Sequence, residues 1–288
     1  MNAFKERCIA LRKRDLTLSE IVKLTGRPKT SVYAHIHDIP LSPRKWDTIR
    51  AQQSARIRAF GAARKGKSTR SFRQISAWNA NLVFLTSHFL FDGDLRGGSC
   101  NYNNRNQALL DRVQEAMKEI YDFEPKYYLN KVTGVKRLSY HNVALRIFFD
   151  EKKRLLTEKI TSLPKSLRRI FLQSFFDDEG CMDFRPAKNH RQIRGYQKDV
   201  RILIIVQKLL QDFQIPSRIQ QPNEIVIAGQ NNMVRFQKEI DFSVGVRING
   251  KRSNSVWRKS LEKRELLRRA IASYKPVGSN GVHRPSVR

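Results

Sequence analysis

Two nine-residue segments of similar sequence each combine an apolar helix with a terminal acid and a glycine. Residues 85–93 (LTSHFLFDG) end in Asp92 and Gly93, and residues 172–180 (LQSFFDDEG) end in Glu179 and Gly180. A carboxylate at a helix C-terminus opposes the helix dipole, at a cost of about 0.3–1 kcal/mol. A single copy is equally typical of a plain helix end capped by glycine. Two copies favour a cation site, because carboxylate oxygens suit hard divalent ions.

The two segments resemble the paired motifs of LAGLIDADG homing endonucleases in their single-chain, two-motif form. In that family the motif helices pack side by side between two pseudosymmetric halves, and their terminal acids bind divalent metal at the cleavage centre. The resemblance implies that Asp92 and Glu179 are catalytic and hold Mg²⁺ or Mn²⁺. It also implies that Ser87 and Ser174 allow close helix packing. His88 departs from the family pattern, since it occupies a place that is normally apolar.

The family usually adds a basic residue near the end of each half. Lys152 and Lys251 are the candidates for this catalytic role, with Lys153 and Arg252 as their neighbours.

The predicted elements after each motif follow the same order. Hydrophobic periodicity and turn residues indicate a helix, a hairpin across Thr133-Gly134 and a closing helix in the first half, with residues 96–106 read as a polar segment. The second half repeats this order with two strands after its motif, and residues 256–271 follow as a C-terminal helix. The resemblance implies an α+β fold with duplicated αββαββα halves at residues 75–160 and 161–275. Together they form a pseudo-twofold DNA-binding saddle.

The predicted sheet segments are rich in polar side chains, few of which are acidic. Arg and Lys suit guanine edges or phosphates, whereas Gln and Asn suit adenine. The candidate DNA-binding residues of the first half are Asn103, Arg105, Lys131, Lys136 and Arg137. Those of the second half are Arg185, Lys188, Arg191, Gln192 and Arg194. An ordinary solvated sheet face is the alternative reading.

The first 42 residues predict a small all-α unit. Two short helices on either side of Gly26 resemble a helix-turn-helix, in which the second helix enters the major groove. Lys29, Thr30, Ser31 and Tyr33 then lie near DNA, with a plain helical hairpin as the alternative. Residues 43–74 predict a basic linker, helical in part, and residues 276–288 a disordered basic tail.

Composition agrees with a nucleic-acid partner. The chain has 56 Lys+Arg against 26 Asp+Glu, a formal net charge of +30. No apolar run approaches the length of about 20 residues that spans a bilayer. The three cysteines are isolated, which disfavours a zinc site or a disulfide framework. We expect a soluble intracellular protein, cytoplasmic or nucleoid-associated, although an organelle stays open.

The sequence therefore predicts a monomeric, site-specific endonuclease that cuts double-stranded DNA at a long, asymmetric target. Two alternatives share the fold: a DNA-binding transcriptional regulator that does not cleave, and a maturase that assists its own intron RNA. Retention of both acids favours the enzyme over the regulator. An intein is disfavoured, since no splicing blocks flank the core.

Overall fold

The structure is a computed structural model that describes residues 3–64, 70–250 and 256–274. The chain divides into two compact units, Met1–Thr69 and Arg70–Arg288. We describe each unit by itself.

The N-terminal unit is all-helical, as predicted. Its helices are α1 (Ala3–Lys13), α2 (Leu18–Thr25), α3 (Lys29–Ile36) and α4 (Pro43–Arg64). Thr17 and Glu20 form a capping box that starts α2, and Gly26, with φ of 63°, ends it in the left-handed conformation. A small core of buried side chains holds the first three helices together: Cys8, Ile21, Val32 and Ile36. The start of the predicted linker is thus the regular helix α4.

The first half of the second unit begins with the first motif helix. Its elements are α5 (Ala80–Phe91), β1 (Gly93–Asp94), β2 (Cys100–Asn104), α6 (Gln107–Lys118), β3 (Lys126–Leu129), β4 (Lys136–Tyr140) and α7 (Val143–Lys159). The four strands form an antiparallel sheet in the order β1-β2-β4-β3. The segment read as polar, residues 96–106, therefore contains strand β2. Sequence periodicity missed it because its alternation of Cys100 and Tyr102 with asparagines carries few apolar residues.

The second half repeats the order. Its elements are α8 (Lys165–Asp178), β5 (Gly180–Arg185), β6 (His190–Tyr196), α9 (Val200–Asp212), β7 (Arg218–Gln220), β8 (Glu224–Ala228) and α10 (Gln230–Glu239). The sheet order, β5-β6-β8-β7, matches that of the first half. A final helix, α11 (Lys263–Ala272), is shorter than predicted at its start, since residues 256–262 precede it as turns and irregular chain. The duplicated αββαββα architecture is confirmed.

The two motif helices, α5 and α8, pack against each other at the centre of the unit. The ring of Phe91 lies 5.4 Å from that of Phe171 and 5.3 Å from that of Phe175, centroid to centroid. Ser87 and Ser174 are buried, and each hydroxyl donates to the carbonyl oxygen four residues earlier in its own helix, at 2.7 and 2.9 Å. These hydroxyls therefore leave no unpaired donor in the close contact.

The glycine that ends each motif permits the turn from helix to strand. A Cβ atom on Gly93 would lie 2.2 Å from the carbonyl oxygen of Phe89, and one on Gly180 would lie 2.5 Å from that of Phe176. Neither distance is tolerable for a carbon atom. Both glycines are therefore required so that a strand starts immediately after the acid.

Candidate metal and nucleic-acid site

Asp92 and Glu179 occupy equivalent positions at the ends of the motif helices. The backbone N–H of Asp92 donates to His88 O at 3.1 Å, and that of Glu179 donates to Phe175 O at 2.8 Å. Their own carbonyl oxygens accept from Asn103 N at 3.2 Å and Tyr196 N at 3.1 Å. Each acid therefore joins a helix to the neighbouring pair of strands. The helix ends and the sheets fix its backbone from both sides.

Burial and mutual repulsion perturb both acids. Burial and the nearby Asp178 carboxyl raise the pKa of Asp92 to about 8. Burial and the neighbouring carboxyls of Asp92 and Asp178 raise the pKa of Glu179 to about 8. Such raised values are typical of carboxylates that share a desolvated site. A bound cation would favour the ionised form of both groups.

An amide side chain accompanies each acid, and the sequence prediction did not assign either amide a role at the acids. Asn104 Nδ2 donates to Asp92 Oδ2 at 2.8 Å, and Gln197 Nε2 lies 3.5 Å from Glu179 Oε1. Both amides also accept a backbone N–H two residues later, Asn106 N at 2.9 Å and Asp199 N at 3.3 Å. The two amides are thus pseudosymmetric partners of the two acids.

A sequence signal for this pair exists. Each amide is followed by a basic residue and then by the residue before a helix, in Asn104-Arg105-Asn106 and in Gln197-Lys198-Asp199. Arg105 and Lys198 are exposed, and the charge of Arg105 lowers the pKa of Asp92. Aligning the two halves on the start of α6 and α9 would have found the triplets.

Lys263 is a buried cation at the end of the second motif helix, with 6% of the residue exposed. Its Nζ donates to the carbonyl oxygens of Phe176 at 3.1 Å and Asp177 at 2.6 Å, in the last turn of the helix. Its charge lowers the pKa of Asp92 and of Glu179. The sequence prediction placed this segment beside the DNA backbone and missed Lys263, because only tertiary packing brings α11 under the acids.

The remaining two acids of the second motif face inward. Asp177 Oδ1 accepts from Ser243 N at 2.9 Å, which ties the end of α8 to the loop after α10. Asp178 is fully buried and meets His88 of the first motif, with Oδ2 2.7 Å from Nδ1. Burial lowers the pKa of His88 to about 3, and burial raises that of Asp178 well above its ordinary value. Burial therefore favours the neutral form of both side chains, which share a hydrogen bond between Oδ2 and Nδ1.

The outer face of the first sheet carries a row of polar residues. Strand pairing places Asn103 opposite Arg137, and Arg137 opposite Tyr128. Arg137 Nε donates to Asn103 Oδ1 at 2.7 Å. Lys131 lies exposed in the turn between β3 and β4. Two further predicted residues lie beside them: Arg105, whose Nε donates to Thr133 O at 2.9 Å, and Lys136, whose Nζ donates to Gln107 Oε1 at 2.5 Å.

The second sheet places most, not all, of its predicted residues on one face. Side chains alternate along β6, so Gln192 and Arg194 share the outer face. Arg191 points the other way, and its guanidinium donates to Ser273 Oγ at 2.7 Å and Ser273 O at 3.0 Å. Lys188 lies in the turn between β5 and β6. The geometry therefore separates Arg191 from the outer face.

The two predicted arginines of this outer face are already paired. Arg185 Nε donates to Asp183 Oδ1 at 2.8 Å. Arg194 donates to Asp183 Oδ2 at 3.1 Å and forms short hydrogen bonds to both carboxylate oxygens of Glu224. The second sheet is thus less positive than its arginine content alone suggests.

Lys152, one of the two predicted basic catalytic residues, is not among the groups that the structure brings to the acids. Lys152 Nζ donates to Ser76 O at 3.3 Å and lies over the rings of Trp78 and Phe148, at 5.2 and 5.3 Å from their centroids. Lys251 lies outside the described residues, as does the predicted tail at residues 276–288. Among the described residues, Lys263 lowers the pKa of both acids and Arg105 lowers that of Asp92.

In the N-terminal unit, the predicted contact residues are exposed together. Lys29, Thr30, Ser31 and Tyr33 are exposed on α3, whereas Val32 and Ile36 are buried. Gly26 and the two residues after it join α2 to α3. This arrangement has the connectivity of a helix-turn-helix.

The donor set at the motif ends fits a hard divalent ion only in part. Asp92 and Glu179 supply carboxylate oxygens, whereas both oxygens of Asp178 are held by other side chains. Within the described residues no cluster of three His, Cys, Asp or Glu side chains is placed to hold a metal. Mg²⁺ characteristically keeps water and phosphate oxygens among its ligands, so two carboxylates suffice for it at a phosphodiester.

No helix among residues 3–64, 70–250 and 256–274 has the length and apolar character needed to cross a membrane.

Comparison with known proteins gives one family match. Residues 166–241 match the family model described as LAGLIDADG-like domain. No curated protein matches the chain.

Several solved structures resemble the chain at low identity. A structure of I-DmoI in complex with DNA and Mn aligns with a TM-score of 0.43 and 14% identity, over 56% of this chain and 96% of that one. The N-terminal LAGLIDADG domain of DUF199/WhiA aligns with a TM-score of 0.43 and 15% identity, over 59% of this chain and 86% of that one. Full-length DUF199/WhiA from Thermatoga maritima aligns with a TM-score of 0.45 and 15% identity, over 72% and 65%.

The family match covers the second motif helix, the sheet after it and the helices α9 and α10. The first half has the same order of elements and the same sheet order. The chain therefore carries a LAGLIDADG-like domain in its second half and a structural repeat of that domain in its first.

Proposed function

We propose that the chain is a site-specific endonuclease that cuts both strands of DNA with the help of Mg²⁺ or Mn²⁺. The observation that carries the proposal is the pairing of Asp92 and Glu179. Each ends a motif helix, each is accompanied by an amide side chain, and burial with repulsion raises both pKa values to about 8. Two buried carboxylates that repel each other destabilise the folded chain, but their oxygens can bind cations.

In the proposed mechanism, Asp92 and Glu179 would each hold a divalent ion. When bound, such an ion would supply activation of the attacking water and stabilisation of the leaving oxygen. Asn104 and Gln197 orient the two carboxylates through their amide N–H groups. Lys263 fixes the end of α8, so that Glu179 keeps its direction. Arg105 and Lys198, which follow the amides and are exposed, are better placed by symmetry to meet phosphates than Lys152.

The sheets and the N-terminal unit supply the proposed DNA contacts. Asn103 and Arg137 on the first sheet and Gln192 and Arg194 on the second face outward in equivalent rows. The acids around Arg194 hold its guanidinium in one orientation, which favours selective contact over diffuse attraction. The unequal charge of the two sheets supports an asymmetric target. In the N-terminal unit, the exposed residues of α3 would read a separate stretch of DNA.

A non-cleaving DNA-binding regulator on the same fold is the second candidate. The observation in its favour is the exposed α3 of the N-terminal unit, which could supply specific DNA contacts without any cleavage chemistry. The two candidates can be distinguished by measuring whether the chain cleaves DNA and whether cleavage requires Asp92 and Glu179.

The test is incubation of a randomised duplex-DNA library with the full chain and Mg²⁺, with Ca²⁺ in place of Mg²⁺ as a control. Glu179→Gln is the matched variant, because it keeps the side-chain volume and removes the charge. Discrete double-strand cuts that require Mg²⁺ and Glu179 would support the endonuclease. Selective binding without cuts would support the regulator and refute cleavage.

A further inference from the structure

The two motif helices meet in two equivalent contacts of different chemistry. The seventh residue of each motif contacts the fourth residue of the other. In one contact, Phe91 packs against Phe175, with ring centroids 5.3 Å apart. In the other, Asp178 meets His88, with Oδ2 2.7 Å from Nδ1. The helix interface is therefore apolar on one side and polar on the other.

The strands beside these contacts differ in the same way. Gly93 pairs with Tyr102, and Gly180 pairs with Gly195, so Tyr102 and Gly195 are equivalent. The hydroxyl of Tyr102 donates to Asp178 Oδ1 at 2.7 Å. A Cβ atom on Gly195 would lie 2.5 Å from Phe175 Cε1. The phenylalanine thus fills the space beside one strand, whereas a tyrosine hydroxyl reaches the buried acid beside the other.

The polar contact extends to only one of the two motif acids. Asn104 Nδ2 lies 3.2 Å from Asp178 Oδ1 and 2.8 Å from Asp92 Oδ2. The same amide lies 3.1 Å from the Tyr102 hydroxyl. At the equivalent place in the second half, Gln197 Nε2 lies 3.5 Å from Glu179 Oε1. A second-half residue, Asp178, thus supports a first-half acid.

We propose that Asp178 is a positioning residue for Asp92 alone, acting through Asn104 and Tyr102, so that the two metal centres are unequal. This inference rests on the proposed function. Outer groups that orient a metal ligand typically change affinity for the ion by about 10–100-fold when they are removed. Asp178 itself is not a ligand, because its two oxygens accept or share hydrogens from His88, Tyr102 and Asn104.

The test is titration of the full chain with Mn²⁺, followed by calorimetry, in two backgrounds. Glu179→Gln leaves the first-half centre, and Asp92→Asn leaves the second-half centre. We expect Asp178→Leu to weaken Mn²⁺ binding by about tenfold in the first background and by less than about twofold in the second. Phe91→Leu is the matched control, because it places the same side chain at the equivalent position of the other motif. Phe91→Leu should not weaken Mn²⁺ binding selectively at the first-half centre.

Two more variants separate positioning from folding. Asp178→Asn keeps an oxygen that can accept from Tyr102 and Asn104, so it should restore most of the lost affinity. Tyr102→Phe removes one hydrogen bond to Asp178 and little volume, and should give the same one-sided loss on a smaller scale. This variant decides the matter if Asp178→Leu does not fold.

The outcomes distinguish this inference from the proposed function. Equal losses in both backgrounds, or no loss in either, would overturn the positioning role while the metal site stands. Loss of all Mn²⁺ binding on removal of either acid would mean that both carboxylates hold a single ion, and would also overturn it. Absence of Mn²⁺ binding by the unaltered chain would refute the proposed metal chemistry, and the positioning role with it.

Discussion

The buried ammonium of Lys263 offers a direct measure of how much the acidic cluster depends on an internal cation. Lys263→Met keeps a long, unbranched side chain and removes the charge. The variant removes the ammonium donor from two carbonyl oxygens at the end of α8, those of Phe176 and Asp177. It also leaves the neighbouring carboxyls without their compensating charge. Removing one partner of a buried charge pair typically destabilises a protein by about 3–5 kcal/mol, and we expect a loss in this range at pH 8.

The pH dependence of that loss follows from the directions of the pKa shifts. The pKa values of Asp92 and Glu179 are raised to about 8 in the folded chain. The folded state therefore binds more protons than the unfolded state between their ordinary pKa values and 8, and stability falls as pH rises through this window. Because Lys263 lowers both pKa values, its removal widens the window. The loss caused by Lys263→Met should therefore be smaller at pH 5 than at pH 8.

The assay is urea unfolding of the full chain, followed by circular dichroism and tryptophan fluorescence, at pH 5 and pH 8. Lys208→Met is the control, because Lys208 is exposed on α9 and should change stability by less than about 0.5 kcal/mol. The two units can unfold separately, so the transition that reports the second unit is identified by its response to the variant. A loss below about 1 kcal/mol, or an equal loss at both pH values, would refute the electrostatic role of Lys263.

Three further predictions use the same unfolding assay. Asp92→Asn and Glu179→Gln should stabilise the metal-free chain at pH 8 and have little effect at pH 5, since each removes a buried charge; a destabilisation at pH 8 would contradict the raised pKa values. Ser174→Leu should destabilise the second unit by about 1–3 kcal/mol, because Ser174 is buried in the packed α8 helix and extra volume has no space; an unchanged midpoint would refute close packing. Thr17→Ala should weaken the N-terminal unit by about 1 kcal/mol through loss of the capping box, with no change in the transition of the second unit.

The sequence determined the repeated architecture and the two principal acids. Hydrophobic periodicity located the motif helices, and a terminal acid before glycine marked Asp92 and Glu179 in both copies. Local rules suffice here, because a helix end, its glycine and the following strand are fixed by neighbouring residues. The strand at residues 100–104 escaped the same rules, since its asparagines hide the alternation that marks a strand.

Only the tertiary structure decided which side chains serve those acids. His88 occupies a normally apolar place in its motif, and the sequence alone assigned it no partner. In the folded chain, His88 contacts Asp178, which occupies the position that a phenylalanine has in the first motif. The two unusual residues are therefore hydrogen-bonding partners of each other. Lys263 reaches the cluster from 84 positions after Glu179, and Asn104 reaches both Asp92 and Asp178 from a strand. Periodicity records how a segment is buried, whereas partners brought together by long-range packing depend on the path of the whole chain.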